Sequence, residues 1–197
     1  IKPTIVHMNE GHCAFAGIER LVQIVEDQKV DLKTALQIVP RTTVFTTHTP
    51  VAAGHDEFPA DTVRPYLKPL AERLGTSETE LLSWGQAPGT HDNGPLCMFI
   101  LGVRLSATCN GVSELHGSVA RRMWAHVWPG RPVDEIPISH ITNGIHIPTF
   151  VSQEFGNLEG WLRLVLTHGL THVVHLNESR GLVWLGRKLF GRAPFAF

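Results

Sequence analysis

Arg41-Thr42-Thr43-Val44-Phe45-Thr46-Thr47-His48-Thr49-Pro50 is the stretch that decides how the chain is read. From Arg41 to Thr46 it is dense in β-branched and aromatic residues, which predicts a buried strand. Pro50 has no N–H to give to a ladder, so the strand must stop before it. His48 then sits between two threonines at the carboxyl end of a strand, the edge where open α/β sheets bind ligands. The plain alternative is a strand-end histidine bonded to a nearby carbonyl, because position in a fold does not by itself confer function.

Upstream, Pro3-Thr4-Ile5-Val6-His7-Met8 predicts another buried parallel strand. Asn9-Glu10-Gly11-His12 follows as a tight polar turn in which Gly11 is expected to take a positive φ. Phe15, Ile18, Leu21, Val22 and Val25 recur at helical spacing. Asp31 is expected to cap a second helix bearing Leu32, Ala35, Leu36 and Val39, with Pro40 as its stop. Strand, helix pair and strand make a βαβ unit with a right-handed crossover.

Downstream, Pro50 to Pro59 reads as an irregular loop. A helix is expected from Asp61 to Leu74, kinked or shortened at Pro65 and Pro69, and Ser77 opens a short one. Leu96 to Ser106 predicts a buried helix and Ala107 to Val112 an extended segment. Ser113 is expected to cap a helix to about Val127, with Arg121 and Arg122 on its solvated face. Pro137 to Thr142 predicts a third strand ending in the polar turn Asn143-Gly144, and Pro148-Thr149-Phe150 opens a further helix. The fold class is α/β, a partial doubly wound parallel sheet with helices on its faces.

The chain has 197 residues, of which 43% are hydrophobic and only 18% charged, enough for a core in one domain or one and a half. A net charge of −1 steers it toward neither nucleic acid nor an anionic membrane. Cys13, Cys97 and Cys109 are odd in number and widely spaced, which favours a reducing, cytoplasmic setting over a disulfide framework or zinc knuckle. No signal peptide or membrane-length apolar run is visible. The start at Ile1, already inside strand-like sequence, reads as that of a fragment. From about Gly156 the character changes, with five Lys/Arg against two Asp/Glu up to Phe197. There His168, His172 and His175 share a helical face but lack the acidic partner of a zinc motif, so no metal site is assigned. Arg187, Lys188 and Arg192 read as a solvated helix edge.

Three turns share one design, an apolar strand followed by Asn, Glu, His or Thr: Asn9-Glu10-Gly11-His12, Thr47-His48-Thr49 and Thr142-Asn143-Gly144. In a parallel sheet they would converge on one edge. Their neutral donors and acceptors suit sugar hydroxyls. No phosphate-binding GxxxxGK[ST] occurs.

These segments resemble the shorter bacterial and archaeal α-glucan phosphorylases. The resemblance is carried by His7-Met8-Asn9-Glu10-Gly11-His12-Cys13-Ala14-Phe15, by Phe45 to Phe58, and by Leu105-Ser106. It continues through Asn110-Gly111-Val112-Ser113-Glu114-Leu115-His116-Gly117, Met123-Trp124 and Ile141 to Thr149. It implies that residues 1–155 are part of the N-terminal, glucan-side domain of a two-domain GT-B-like glycosyltransferase. Residues 156–197 do not follow it and read as a frame-shifted or truncated stretch, or a divergent insertion.

The implied reaction is reversible phosphorolysis of α-1,4-glucan (maltodextrin or glycogen) to glucose 1-phosphate, assisted by pyridoxal 5′-phosphate held on a lysine. By the resemblance His48 is the catalytic residue, its backbone carbonyl facing the anomeric centre and its ring the sugar's 6-hydroxyl. Asn143 is the second partner of that hydroxyl, and Asn9, Glu10 and His12 line the pocket. His116 and Asn110 are family-like without an assigned contact. Lys2, Lys29, Lys33, Lys68 and Lys188 lack the setting of a cofactor lysine, so the chain alone is expected to be inactive. A non-catalytic carbohydrate-binding or interaction module that keeps the sugar-side residues is the other function class, and a sugar-nucleotide-dependent glycosyltransferase fits less well.

Overall fold

The computed structural model describes residues 3–144 and, beyond them, His146, Thr149, Ser152, Gln153, Gly156 and Asn157. The secondary-structure elements lie in one compact unit, Ile1–Asn143. The second unit, Gly144–Phe197, includes a hydrogen bond between His146 Nδ1 and Thr149 Oγ1 at 2.7 Å. Of the helix expected at Pro148, Thr149, Gln153, Gly156 and Asn157 are described and are helical; the rest of the tail, with its histidines and basic residues, falls outside the described residues.

In chain order the elements are β1 (Val6–Asn9), α1 (Phe15–Gln28), α2 (Leu32–Ile38), β2 (Thr43–Thr47), β3 (Glu57–Phe58) and α3 (Ala60–Leu74). They continue as α4 (Glu78–Trp84), β4 (Leu96–Cys97), α5 (Met98–Arg104), β5 (Thr108–Gly111), α6 (Glu114–Met123) and β6 (Ile138–His140). Four strands form a parallel sheet in the order β1-β2-β5-β6. β3 and β4 make a short antiparallel pair apart from it. The α/β class and parallel sheet expected from the sequence are present.

Every step across the sheet goes the same way, so right-handed crossovers put the connecting helices on one face. Register shows which face that is. Met8, Phe45, Cys109 and Ile138 form one row, all buried. Asn9, Thr46, Asn110 and Ser139 form the next row, pointing the other way. On that side His7, Asn9, Thr108 and Ser139 are exposed. The helices expected on both faces therefore lie on one, and the four strands lack the reversal of direction that double winding requires. β5 also stands between β2 and β6, so the Val44 and Ile138 strands are not direct neighbours.

The core lies between the sheet and α1, α5 and α6. Phe45 meets Phe99 edge to face at 5.5 Å, and Phe99 stacks on Trp124 at 3.9 Å and 6°. Helix starts follow the expected caps: Asp31, Ser77 and Ser113 accept from the backbone N–H of Thr34, Glu80 and His116. All three cysteines are free thiols.

Other expectations are corrected. α3 runs unbroken through Pro65 and Pro69. Both prolines are exposed, one helical turn apart, while Val63, Leu67, Ala71 and Leu74 are buried. The carbonyls left without an N–H partner therefore face water. Leu96 and Cys97 pair with β3 before α5 begins, which shortens the apolar helix. α6 ends at Met123 and is followed by a 3-10 turn, Ala125–Val127. Arg121 is not on a solvated face: its Nη1 donates to the carbonyl of Ile138 at 2.8 Å, tying α6 to β6. No helix among the described residues is long and apolar enough to cross a membrane.

Candidate functional site

Parallel strands in register end together, so the turns after β1, β2, β5 and β6 line one edge. Ladder bonds extend past the strands: the Glu10 N–H donates to Thr46 O at 2.8 Å, Ile141 to Gly111 O at 2.9 Å, and Asn143 to Val112 O at 3.1 Å. Across the sheet Asn9 and Asn143 are three strands apart and His48 and Asn143 two, with Asn143 lying further along the strand direction than either. The shared edge proposed from the three turns exists.

Its organiser is Glu10. One carboxylate oxygen accepts from the Gly11 N–H at 3.0 Å and the Thr47 hydroxyl at 3.3 Å. The other accepts from the His48 N–H at 2.7 Å and from both the N–H and the hydroxyl of Thr49 at 3.0 Å. Five donors from two strand ends converge on one side chain. Burial works to raise the Glu10 pKa, but the hydrogen bonds from His48, Gly11 and Thr49 together hold it below the ordinary carboxylate value. Glu10 is therefore not a free wall of the pocket; it is committed to the backbone of the His48 turn.

The positive φ expected at Gly11 falls instead on Glu10, at φ 77° and ψ 165°. That region is almost reserved for glycine, and holding another residue there costs on the order of 1–3 kcal/mol. The five bonds to its carboxylate are what keep it there. Gly11 is needed for a different reason. A Cβ on it would stand 3.2 Å from the Phe99 backbone nitrogen and 3.3 Å from the Met98 carbonyl carbon. The start of α5 packs directly on this turn.

His48 is exposed at the edge, and its Nε2 lies 2.5 Å from Asn9 Oδ1. An amide oxygen only accepts, so Nε2 is the donor in this contact. Just below, Thr46 gives its single hydroxyl proton to Asn110 Oδ1 at 3.0 Å and so accepts from His7 Nε2 at 2.7 Å. Asn110 Nδ2 closes the row on Gly111 O at 3.2 Å. Asn110 is a buried strut across β2 and β5. His116 Nδ1 accepts from the Val112 N–H at 3.2 Å and pins the turn into α6. His12 is exposed on the turn after Glu10 and takes no part in this network. Asn143 has an exposed side chain and a fixed backbone.

Sequence reasoning missed His55. Its side chain is 2% exposed, and Nδ1 lies 3.9 Å from Glu10 Oε1. The ring stands edge-on to Trp124 at 4.8 Å and to Phe99 at 5.4 Å. Burial pushes its pKa below the ordinary histidine value, against the pull of the Glu10 charge. At neutral pH the contact is between a neutral ring and a carboxylate, not an ion pair. The sequence marked its loop, Pro50 to Pro59, only as irregular, and the resemblance covered His55 without giving it a role.

The described lysines, Lys29, Lys33 and Lys68, are exposed on the helical layer. None is in the dry pocket that a Schiff-base cofactor requires, so these residues do not fit pyridoxal phosphate.

No family model matches the chain. Among curated proteins, it is 41% identical over 158 residues to the maltodextrin phosphorylase of Thermococcus litoralis, covering 80% of this chain and 18% of that protein. It is 42% identical over 168 residues to the glycogen phosphorylase of Mycobacterium tuberculosis, covering 82% and 18%. The glycogen phosphorylase of Aquifex aeolicus is 25% identical over 152 residues, covering 77% and 21%. The chain thus spans about a fifth of the length of these relatives. Across the matched part of its length, this chain belongs to the glycogen and maltodextrin phosphorylase family.

Proposed function

We propose that residues 1–155 are the glucan-side part of an α-glucan phosphorylase, and that residues 156–197 are a divergent or frame-shifted tail. The whole enzyme would act in the cytoplasm, releasing glucose 1-phosphate reversibly from α-1,4-glucan and phosphate. The observation that carries this reading is the Glu10 network, which presents His48 and Asn9 on the sheet edge in a segment 41% identical to a maltodextrin phosphorylase. His48 would turn its backbone carbonyl and ring toward the terminal glucose. Asn143, two strands across the sheet and further along its strand, leaves room for a sugar ring between them. Glu10 acts on the sugar only through His48, and the exposed His12 is left to line the approach. The pyridoxal phosphate of the whole enzyme would be held outside these residues, and the chain alone would be inactive.

The test is His48→Ala in an enzyme carrying this segment with the rest of the relatives' length. Loss of one positioned contact at the reacting sugar is expected to lower kcat on the order of 10²-fold with little change in KM. Asn143→Ala should act likewise, and the double variant should be less than additive. If KM rises while kcat holds, His48 is a remote binding residue and the assignment fails.

A further inference from the structure

We infer that His55 is a positioning residue for His48, acting through Glu10. The role assigned to His48 rests on the glucan reading; the contact that positions it does not. The Glu10 carboxylate sets the turn by accepting the N–H groups of His48 and Thr49. A side chain holding five donors on a left-handed backbone must itself be fixed, or the turn moves with it. His55 backs it: Nδ1 stands 3.9 Å from Glu10 Oε1, an electrostatic contact longer than a hydrogen bond, and the ring also bonds the backbone of Thr49 in the same turn.

The ring has little freedom to turn. Phe99 and Trp124 stand edge-on to it, and these two are stacked on each other in the core. His55 Nε2 is buried with no hydrogen-bond partner. A proton there would be an unsatisfied buried donor, so the neutral ring carries its proton on Nδ1, the nitrogen on the side of Glu10 and the Thr49 backbone. This ring joins the aromatic core to the surface turn, beside the direct packing of α5 on Gly11. Glu10 comes from the end of β1, His48 from the end of β2, and His55 from the loop beyond, so three separate segments meet in the contact.

Asparagine and glutamine separate the two ring nitrogens, since the Asn amide nitrogen stands near the place of Nδ1 and the Gln nitrogen near that of Nε2. His55→Asn, His55→Gln and His55→Phe are made in the full chain, and amide hydrogen exchange is read residue by residue. In His55→Gln and His55→Phe the His48 and Thr49 amides are expected to exchange about tenfold faster than wild type, while Cys109 in β5 keeps its protection. His55→Asn should return His48 and Thr49 to near the wild-type rate. If Phe proves too disruptive to fold, the Asn and Gln pair decides alone. Equal exchange of His48 and Thr49 in Asn and Gln variants overturns the inference. Maltoheptaose binding on the same samples is a separate readout: failure of wild type to bind defeats the glucan reading and leaves the exchange result standing.

Discussion

The backbone N–H of His48 donates to the carboxylate of Glu10 at 2.7 Å, across the junction of two parallel strands whose residues are 38 positions apart. The bond joins the end of β1 to the end of β2. It makes the conformation of the His48 turn a property of the Glu10 side chain. Because both oxygens of that side chain accept only, its charge and geometry are matched to five donors.

Glu10→Gln tests that match. The amide keeps the shape but must turn an NH₂ toward at least one backbone N–H, of Gly11 or of His48 and Thr49, which can only donate. The expected loss is about 1–3 kcal/mol, the cost of an unsatisfied buried donor, read from the midpoint of urea unfolding. An unchanged midpoint would mean that the carboxylate is replaceable and the network incidental.

Acid should weaken the fold in two stages. The His55 pKa is depressed in the folded state, so just below the ordinary histidine value the unfolded chain binds a proton that the native chain refuses. Stability falls with pH through that range. Glu10 is also depressed, so its contribution is full above the ordinary carboxylate value and is lost as pH falls toward its folded value. His55→Phe should flatten the upper stage and leave the lower one. An unaltered slope near pH 6 in that variant would contradict the assignment.

Gly102→Ala probes the packing under the site. The added Cβ would fall 2.6 Å from Phe45 Cε2, and Phe45 is fully buried against Phe99. Alanine's better helix propensity offers at most about 1 kcal/mol, while overpacking costs about 1–3 kcal/mol. Net destabilisation is expected in thermal unfolding, and a raised Tm would show that Phe45 has room to move.

Much of this arrangement was legible before any coordinates. The β-branched run ending at Pro50 marked β2, and the caps at Asp31, Ser77 and Ser113 were readable as single residues. The convergence of Asn9, His48 and Asn143 followed from parallel pairing alone. What escaped the reading was long-range or steric. No local pattern shows that a five-donor network would force Glu10, and not Gly11, into the left-handed region. The burial of His55 depends on Phe99 and Trp124, which are distant in sequence. Arg121 found a carbonyl on β6 because α6 and β6 pack together, a tertiary outcome. Pro65 and Pro69 were tolerated because their helical phase is exposed, which period counting could have shown.

The central claim is that the edge organised by Glu10 receives glucan. The most direct measurement is an amide chemical-shift titration of the full chain with maltoheptaose at millimolar concentrations, the range suited to a weak site. Shifts are expected only at Asn9, Glu10, His48, Thr49 and Asn143, reduced together in His48→Ala. Shifts confined instead to the aromatic groove of Phe15, Phe58 and Tyr66, or none at that edge, would contradict it.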